Sequence, residues 1–202
     1  MDRFAYRPSL AELAALIRQR APRDRPGVVA ISGYGGSGKT TLADALGEML
    51  GTSVVGIDEF ATAEAITRSP DWSGLDRQRL ATQVLEPVRG GATGITYDSC
   101  NDWLTWCTEP VTRAVGSGLI VEGIGLLHPE LLPLLDTTIW LDVDLDTATA
   151  RGVARAVARG VLETELWTDV WGPNERDFAR RFAPRGLADI LVTSGGTDPD
   201  GT

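Results

Sequence analysis

Nineteen of the chain's 202 residues are basic, and only one of these, Lys39, is a lysine. It stands in the run Gly33-Tyr34-Gly35-Gly36-Ser37-Gly38-Lys39-Thr40, which matches the pattern G-x-x-x-x-G-K-[ST]. Glycines let consecutive N–H groups turn toward anionic oxygens, and a helix opening at the end of the run adds its positive N-terminus. Gly33, Gly35, Gly36, Ser37, Gly38 and the start of that helix, through Thr41, therefore read as a cradle for nucleotide phosphates. Lys39 is placed to reach the β- and γ-phosphates and Thr40 to ligate Mg²⁺ through its hydroxyl. In a chain that otherwise uses arginine, the lysine marks a position needing a compact point charge, not a planar fork.

Phosphoryl chemistry needs carboxylates as well, and the sequence sets three directly after apolar runs. Asp58 and Glu59 follow VVGI, and Glu122 follows LIV. Facing a triphosphate, such groups hold Mg²⁺ or accept the proton of an attacking hydroxyl. Thr40 and Glu122 are read as metal ligands, with Asp58, Glu59 and Glu122 turned toward the acceptor. Asp142, after TIWL, ranks lower because its neighbours Asp144 and Asp146 read as a loop and helix cap. Arg151, Arg155 and Arg159 recur every four residues and share one helical face. An arginine there can stabilise charge on the moving phosphoryl group, the role expected of Arg155, while Arg151 is expected on ATP.

These groups require strands that end together. Short β-branched or apolar runs predict strands at Val28–Ser32, Ser53–Ile57, Leu119–Val121, Thr138–Leu141 and Asp189–Val192. Helical periodicity appears at Ser9–Arg20, where Ser9 and Glu12 form a capping box, and at 40–50, 76–88, 147–158 and 164–182. Alternation of strands and helices predicts an α/β fold: a parallel five-stranded sheet covered by helices on both faces. The length fits one domain, with a small helical lid over about 145–178. Trp167, Trp171, Glu175 and Phe178 read as core or lid packing, and the tail 194–202 as frayed.

Composition narrows the partners. The net charge is −9 and the sequence pI about 4.6, so the chain's field repels nucleic acid and anionic lipid. No apolar run approaches membrane-spanning length, and the first ten residues lack the apolar stretch of a secretory signal. Cys100 and Cys107 are too few for a disulfide framework and lack metal spacing. A cytoplasmic protein with a small-molecule partner is expected; no pattern bears on its oligomeric state.

From position 28 to 192 the chain resembles the uridine kinase and phosphoribulokinase branch of the P-loop kinases. The resemblance rests on GYGGSGKTT at 33–41, on Asp58-Glu59-Phe60 where that family commonly has D-D-F, and on LDRQRLATQVLEPVRGG at 75–91. It continues through Tyr97-Asp98, Val121-Glu122-Gly123, the arginine helix and Ala188-Asp189. It implies that Asp58 is the base for the acceptor hydroxyl and that Tyr97 and Asp98 line the acceptor pocket. Two positions depart from the pattern: Ser99 replaces the usual aromatic, and Ala156 stands where many members have Asp. The expectation is an ATP- and Mg²⁺-dependent kinase acting on a hydroxyl of a nucleoside- or sugar-like metabolite. A GTPase is excluded by the lack of a second lysine for N-K-x-D. The competing expectation is a nucleotide-binding or ATPase-type regulatory protein with altered catalysis.

Overall fold

The computed structural model describes residues 5–6, 8–100, 105–160 and 164–193. The expected tail 194–202 and part of the expected lid, 161–163, lie outside them.

Short strand β1 (Ala5–Tyr6) precedes helix α1 (Leu10–Arg20). The Ser9 hydroxyl accepts from the Glu12 N–H, and the Glu12 carboxylate accepts from the Ser9 N–H at 2.8 Å, the capping box expected of that pair. Strand β2 (Gly27–Ser32) leads through the glycine loop into α2 (Lys39–Leu50), then β3 (Ser53–Gly56). Next comes a helical stretch built as α3 (Arg77–Leu80), a π turn Ala81–Leu85, and α4 (Glu86–Arg89). Strands β4 (Gly94–Cys100) and β5 (Thr108–Ala114) form an antiparallel pair, followed by β6 (Gly118–Glu122) and β7 (Thr137–Leu141). Helix α5 (Leu145–Ala158), a π turn Leu166–Trp171, α6 (Gly172–Phe182), α7 (Pro184–Leu187) and β8 (Ile190–Val192) complete the order.

The main sheet runs β1-β8-β7-β2-β6-β3, every pair parallel. Its five longer strands are those expected from the sequence. Two features go beyond that expectation: the two-residue edge strand β1, and the β4/β5 hairpin, where no strand was expected.

Alternation along the strands divides the core. Val29 and Ile31 of β2, with Ile120 and Ile139, face Leu13 and Ile17 of α1 and Leu46 of α2. Val28 and Ala30, with Val55, Leu119, Val121 and Trp140, face Leu80, Val84, Leu85, Tyr97 and Phe178. Strands buried on both faces in this way carry continuous apolar runs, which is why they were legible. Register then sets the chemistry: Ile31 pairs with Glu122, and Glu122 with Gly56. The ends of β2, β3 and β6 are level, so the glycine loop, Asp58 and Glu122 emerge at one edge. Among the described residues no helix is long and apolar enough to cross a membrane.

At the opposite edge, Asp136 fastens the start of β2. Its carboxylate takes both Arg25 terminal nitrogens at 2.8 and 2.6 Å, the Val28 N–H at 2.8 Å, and Arg89 at 3.1 Å. Burial works to raise its pKa, but the Arg25 hydrogen bonds, the Val28 N–H and the arginine charges outweigh burial and hold it below the ordinary value. A depressed carboxylate stabilises the fold above the unfolded pKa of about 3.9 and loses that contribution as pH falls through the folded value. Removing it takes this acceptor from Arg25, Arg89 and the Val28 N–H at once, so Asp136→Ala is expected to cost about 2 to 4 kcal/mol in urea unfolding at pH 7. The difference should shrink as pH approaches 3.

Candidate active site

The glycine loop leaves β2 and is covered closely by α5. A Cβ at Gly36, whose φ is 87°, would lie 2.1 Å from the Ala148 carbonyl oxygen, so backbone meets backbone there and only glycine fits. Beyond the loop opens a cavity of about 220 Å³. Gly35, Gly36, Gly38, Lys39, Thr40 and Thr41 form its floor, with Asp58 and Glu122 from the strand ends and Arg155 from α5 beside them. The sequence reading thus brought together the cradle, two carboxylates and one arginine that the fold does gather.

Lys39 is 7% exposed, and its Nζ donates to the Tyr34 carbonyl oxygen at 2.8 Å. Burial pulls its pKa down, and the carboxylates of Glu175, Glu122 and Asp58 oppose that. Thr40 Oγ1 donates to Glu122 Oε1 at 3.1 Å. Burial raises the Glu122 pKa, against the attraction of Lys39. The Asp58 surface opens on the cleft, yet protein crowds around it, and that desolvation raises its pKa against the pull of Lys39 and Arg155.

A hydroxyl and a carboxylate in contact are hard oxygen donors of the kind Mg²⁺ takes, with phosphate and water completing its shell. Among the described residues no group of three or more His, Cys, Asp and Glu is arranged to hold a metal by itself. The donor set therefore fits a metal that arrives with phosphates.

Other expected site residues lie elsewhere. Glu59 turns away from the cavity into the hairpin, where its carboxylate accepts from Tyr97 Oη at 2.7 Å, Ser99 Oγ at 3.0 Å and Arg113 at 3.0 Å. Tyr97 is 1% exposed and also accepts from Arg113 Nε at 2.6 Å. Burial, with Glu59 beside it, pushes its pKa well up. Asp98 pairs with Gln83 through both backbone and side chain. None of Glu59, Tyr97 and Asp98 lines the cavity, and Arg151 is exposed outside it. Gly33 and Ser37 do not line the cavity; Ser37 is 3% exposed, and among the described residues its hydroxyl has no hydrogen-bond partner. Asp142, the lower-ranked alternative, is held by Arg185 at 2.7 and 2.8 Å.

Trp72, Trp167, Trp171 and Glu175, read as packing or not singled out, also line the cavity. Trp167 and Trp171 meet edge to face, 5.0 Å between centroids. Glu175 is 6% exposed, and its Oε1 accepts from the Gly35 N–H at 2.6 Å. The signal available in the sequence was an acid on the stripe 167, 171, 175, 178, whose other members are aromatic. Phe178, by contrast, is core as expected.

No protein-family model matches the chain, and the comparison with curated proteins finds no match. Solved structures do match. A possible uridine kinase from Bacillus stearothermophilus superposes with TM-score 0.70 at 18% identity, covering 91% of this chain and 96% of that one. A provisionally assigned fructose transport system kinase from Silicibacter sp. TM1040 gives 0.68 at 23% identity, covering 91% and 98%. D-glycerate 3-kinase from Cryptococcus neoformans var. grubii gives 0.55 at 12% identity, covering 84% of each chain. At these identities the likeness is one of architecture, and the chain has the fold of the uridine-kinase-like P-loop kinases.

Proposed function

We propose that the protein is an ATP- and Mg²⁺-dependent kinase that phosphorylates a hydroxyl of a small metabolite, nucleoside- or sugar-like. The observation that carries this reading is the gathering of Lys39, Thr40, Asp58, Glu122 and Arg155 around one cavity at the carboxyl ends of parallel strands. Ligands of such sheets bind there.

In this reading the N–H groups of the glycine loop and Lys39 bind the phosphates, and Lys39 neutralises charge that builds on the transferring group. Thr40 and Glu122 would hold Mg²⁺, which when bound offsets phosphate charge. Asp58 accepts the proton as the acceptor oxygen attacks; its raised pKa makes it a stronger base than an ordinary aspartate. Arg155 faces the same point from α5, and its charge is useful only as the phosphoryl group moves. The segment from about 145 to 178 acts as a lid, its helix bringing Arg155 over the cradle. The tryptophans exclude water that would otherwise compete as acceptor.

Glu59, Tyr97, Asp98 and Arg151 act behind this constellation. Glu59 and Tyr97 brace the hairpin beside the acceptor, and Arg151 serves the outer part of ATP.

The test is ATP consumption over panels of nucleosides, sugars and other small alcohols, with the phosphorylated product identified by mass. Turnover that depends on one acceptor class and on Mg²⁺ supports the reading. ATP hydrolysis with no acceptor dependence would favour the ATPase-type alternative.

A further inference from the structure

A buried carboxylate on the glycine loop is unusual chemistry for a surface meant for anions. Glu175 sits in the first turn of α6, and the Gly35 N–H it occupies belongs to the cradle. The ring of Trp167 closes over the same place, 3.0 Å from where a Cβ on Gly35 would be. The turn is fixed from its other side too. Asn174, fully buried, accepts from the Ser69 N–H at 2.8 Å and donates to the Thr67 carbonyl at 2.9 Å. Trp171 Nε1 donates to the Ala65 carbonyl at 3.0 Å. The carboxylate is therefore held in the cradle by its helix and is not a side chain resting there by chance.

We propose that Glu175 is an internal anion that occupies a phosphate position of the cradle, and that nucleotide binds only as this carboxylate takes up a proton. The inference rests on the reading of this loop as a nucleotide phosphate site. A phosphate oxygen and an ionised carboxylate cannot share one N–H without bringing two negative charges into contact.

The surrounding charges make the conflict sharper. Lys39 and Tyr34 face Glu175 from the loop and the start of α2, Arg155 lines the cavity from α5, and Asp58 and Glu122 line it from the strand ends. Three carboxylates against two cations leave little positive charge for a triphosphate, and neutralising Glu175 restores the balance. Burial pushes its pKa up to about 7, against the opposing pull of Lys39 and the Gly35 N–H. The group is thus neutral below that value and charged above it, so nucleotide affinity should rise as pH falls through 7.

The experiment is calorimetric binding of a non-hydrolysable Mg·ATP analogue, and of inorganic tripolyphosphate, to the wild-type protein and Glu175→Gln at pH 6.5 and 8. The amide keeps the shape and still accepts from the N–H but carries no charge. Taking the ratio of variant to wild-type affinity cancels the titration of the ligand itself. That ratio should increase about eightfold between pH 6.5 and 8 for one proton with a pKa near 7. Wild-type binding should also take up a proton, read from the buffer dependence of the heat, which remains measurable should the variant fail to fold. A ratio that does not change with pH, or an absence of proton uptake, overturns the inference and leaves the kinase reading standing. Weaker binding by the variant at both pH values also overturns it, making Glu175 a residue that positions the loop for nucleotide. If neither protein binds either ligand, the inference and the kinase reading fall together.

Discussion

Asp58→Asn should lower kcat by about 10² to 10⁴, the usual worth of a positioned general base, while the affinity for a non-hydrolysable ATP analogue stays within about twofold. The substitution keeps the size of the side chain and removes only its capacity to take a proton. Its place is set by register: β3 ends level with Glu122, and two residues later the chain presents Asp58 to the cavity that Lys39 and Arg155 also line. Crowding raises the Asp58 pKa, so the unprotonated form that acts as base is lost as pH falls through that value. The wild-type kcat should therefore decline on its acid side, and the Asn variant should lack that limb. Loss of nucleotide affinity equal to the loss of rate would make Asp58 a structural or metal-binding residue.

What the sequence allowed to be read, and what it hid, follows from the range of each interaction. The inner parallel strands β2, β6 and β7 announced themselves as apolar runs because both faces are buried, and the Ser9–Glu12 cap because it spans one turn. The hairpin was hidden because β5 is mostly exposed and carries Glu109, Pro110 and Arg113, which read as loop residues. Adjacent Asp58 and Glu59 suggested two acids facing one substrate. They lie in a 3₁₀ turn, Ile57–Phe60, where successive side chains point about 120° apart. One carboxylate therefore meets the cavity and the other the hairpin, where Arg113, 54 residues away, holds it. Glu175 shows the same limit more strongly. Its helix was legible from periodicity, but its contact with Gly35 joins positions 140 residues apart. Periodicity marks which face of a helix is buried and is silent about what that face meets.

Lys39→Arg is expected to reduce kcat/KM for ATP by about 10² to 10³, the range seen when one charge-stabilising donor is removed from a reaction site, with thermal unfolding little changed. The change preserves the positive charge, so a surface role or a simple ion pair would tolerate it. The lysine stands 93% buried between the Tyr34 carbonyl oxygen and the three carboxylates Glu175, Glu122 and Asp58. A guanidinium is wider, rigidly planar and spreads its charge over three nitrogens, so it cannot set a point charge between phosphate oxygens in that space. The fold has little to lose. Burial already lowers the Lys39 pKa, so keeping this side chain charged works against the folded state below its unfolded value of about 10.4. A costly buried charge retained as the chain's single lysine is explained by chemistry done there. Near-wild-type turnover by the Arg variant would remove Lys39 from that chemistry, and with it the assignment of the loop as a phosphate site.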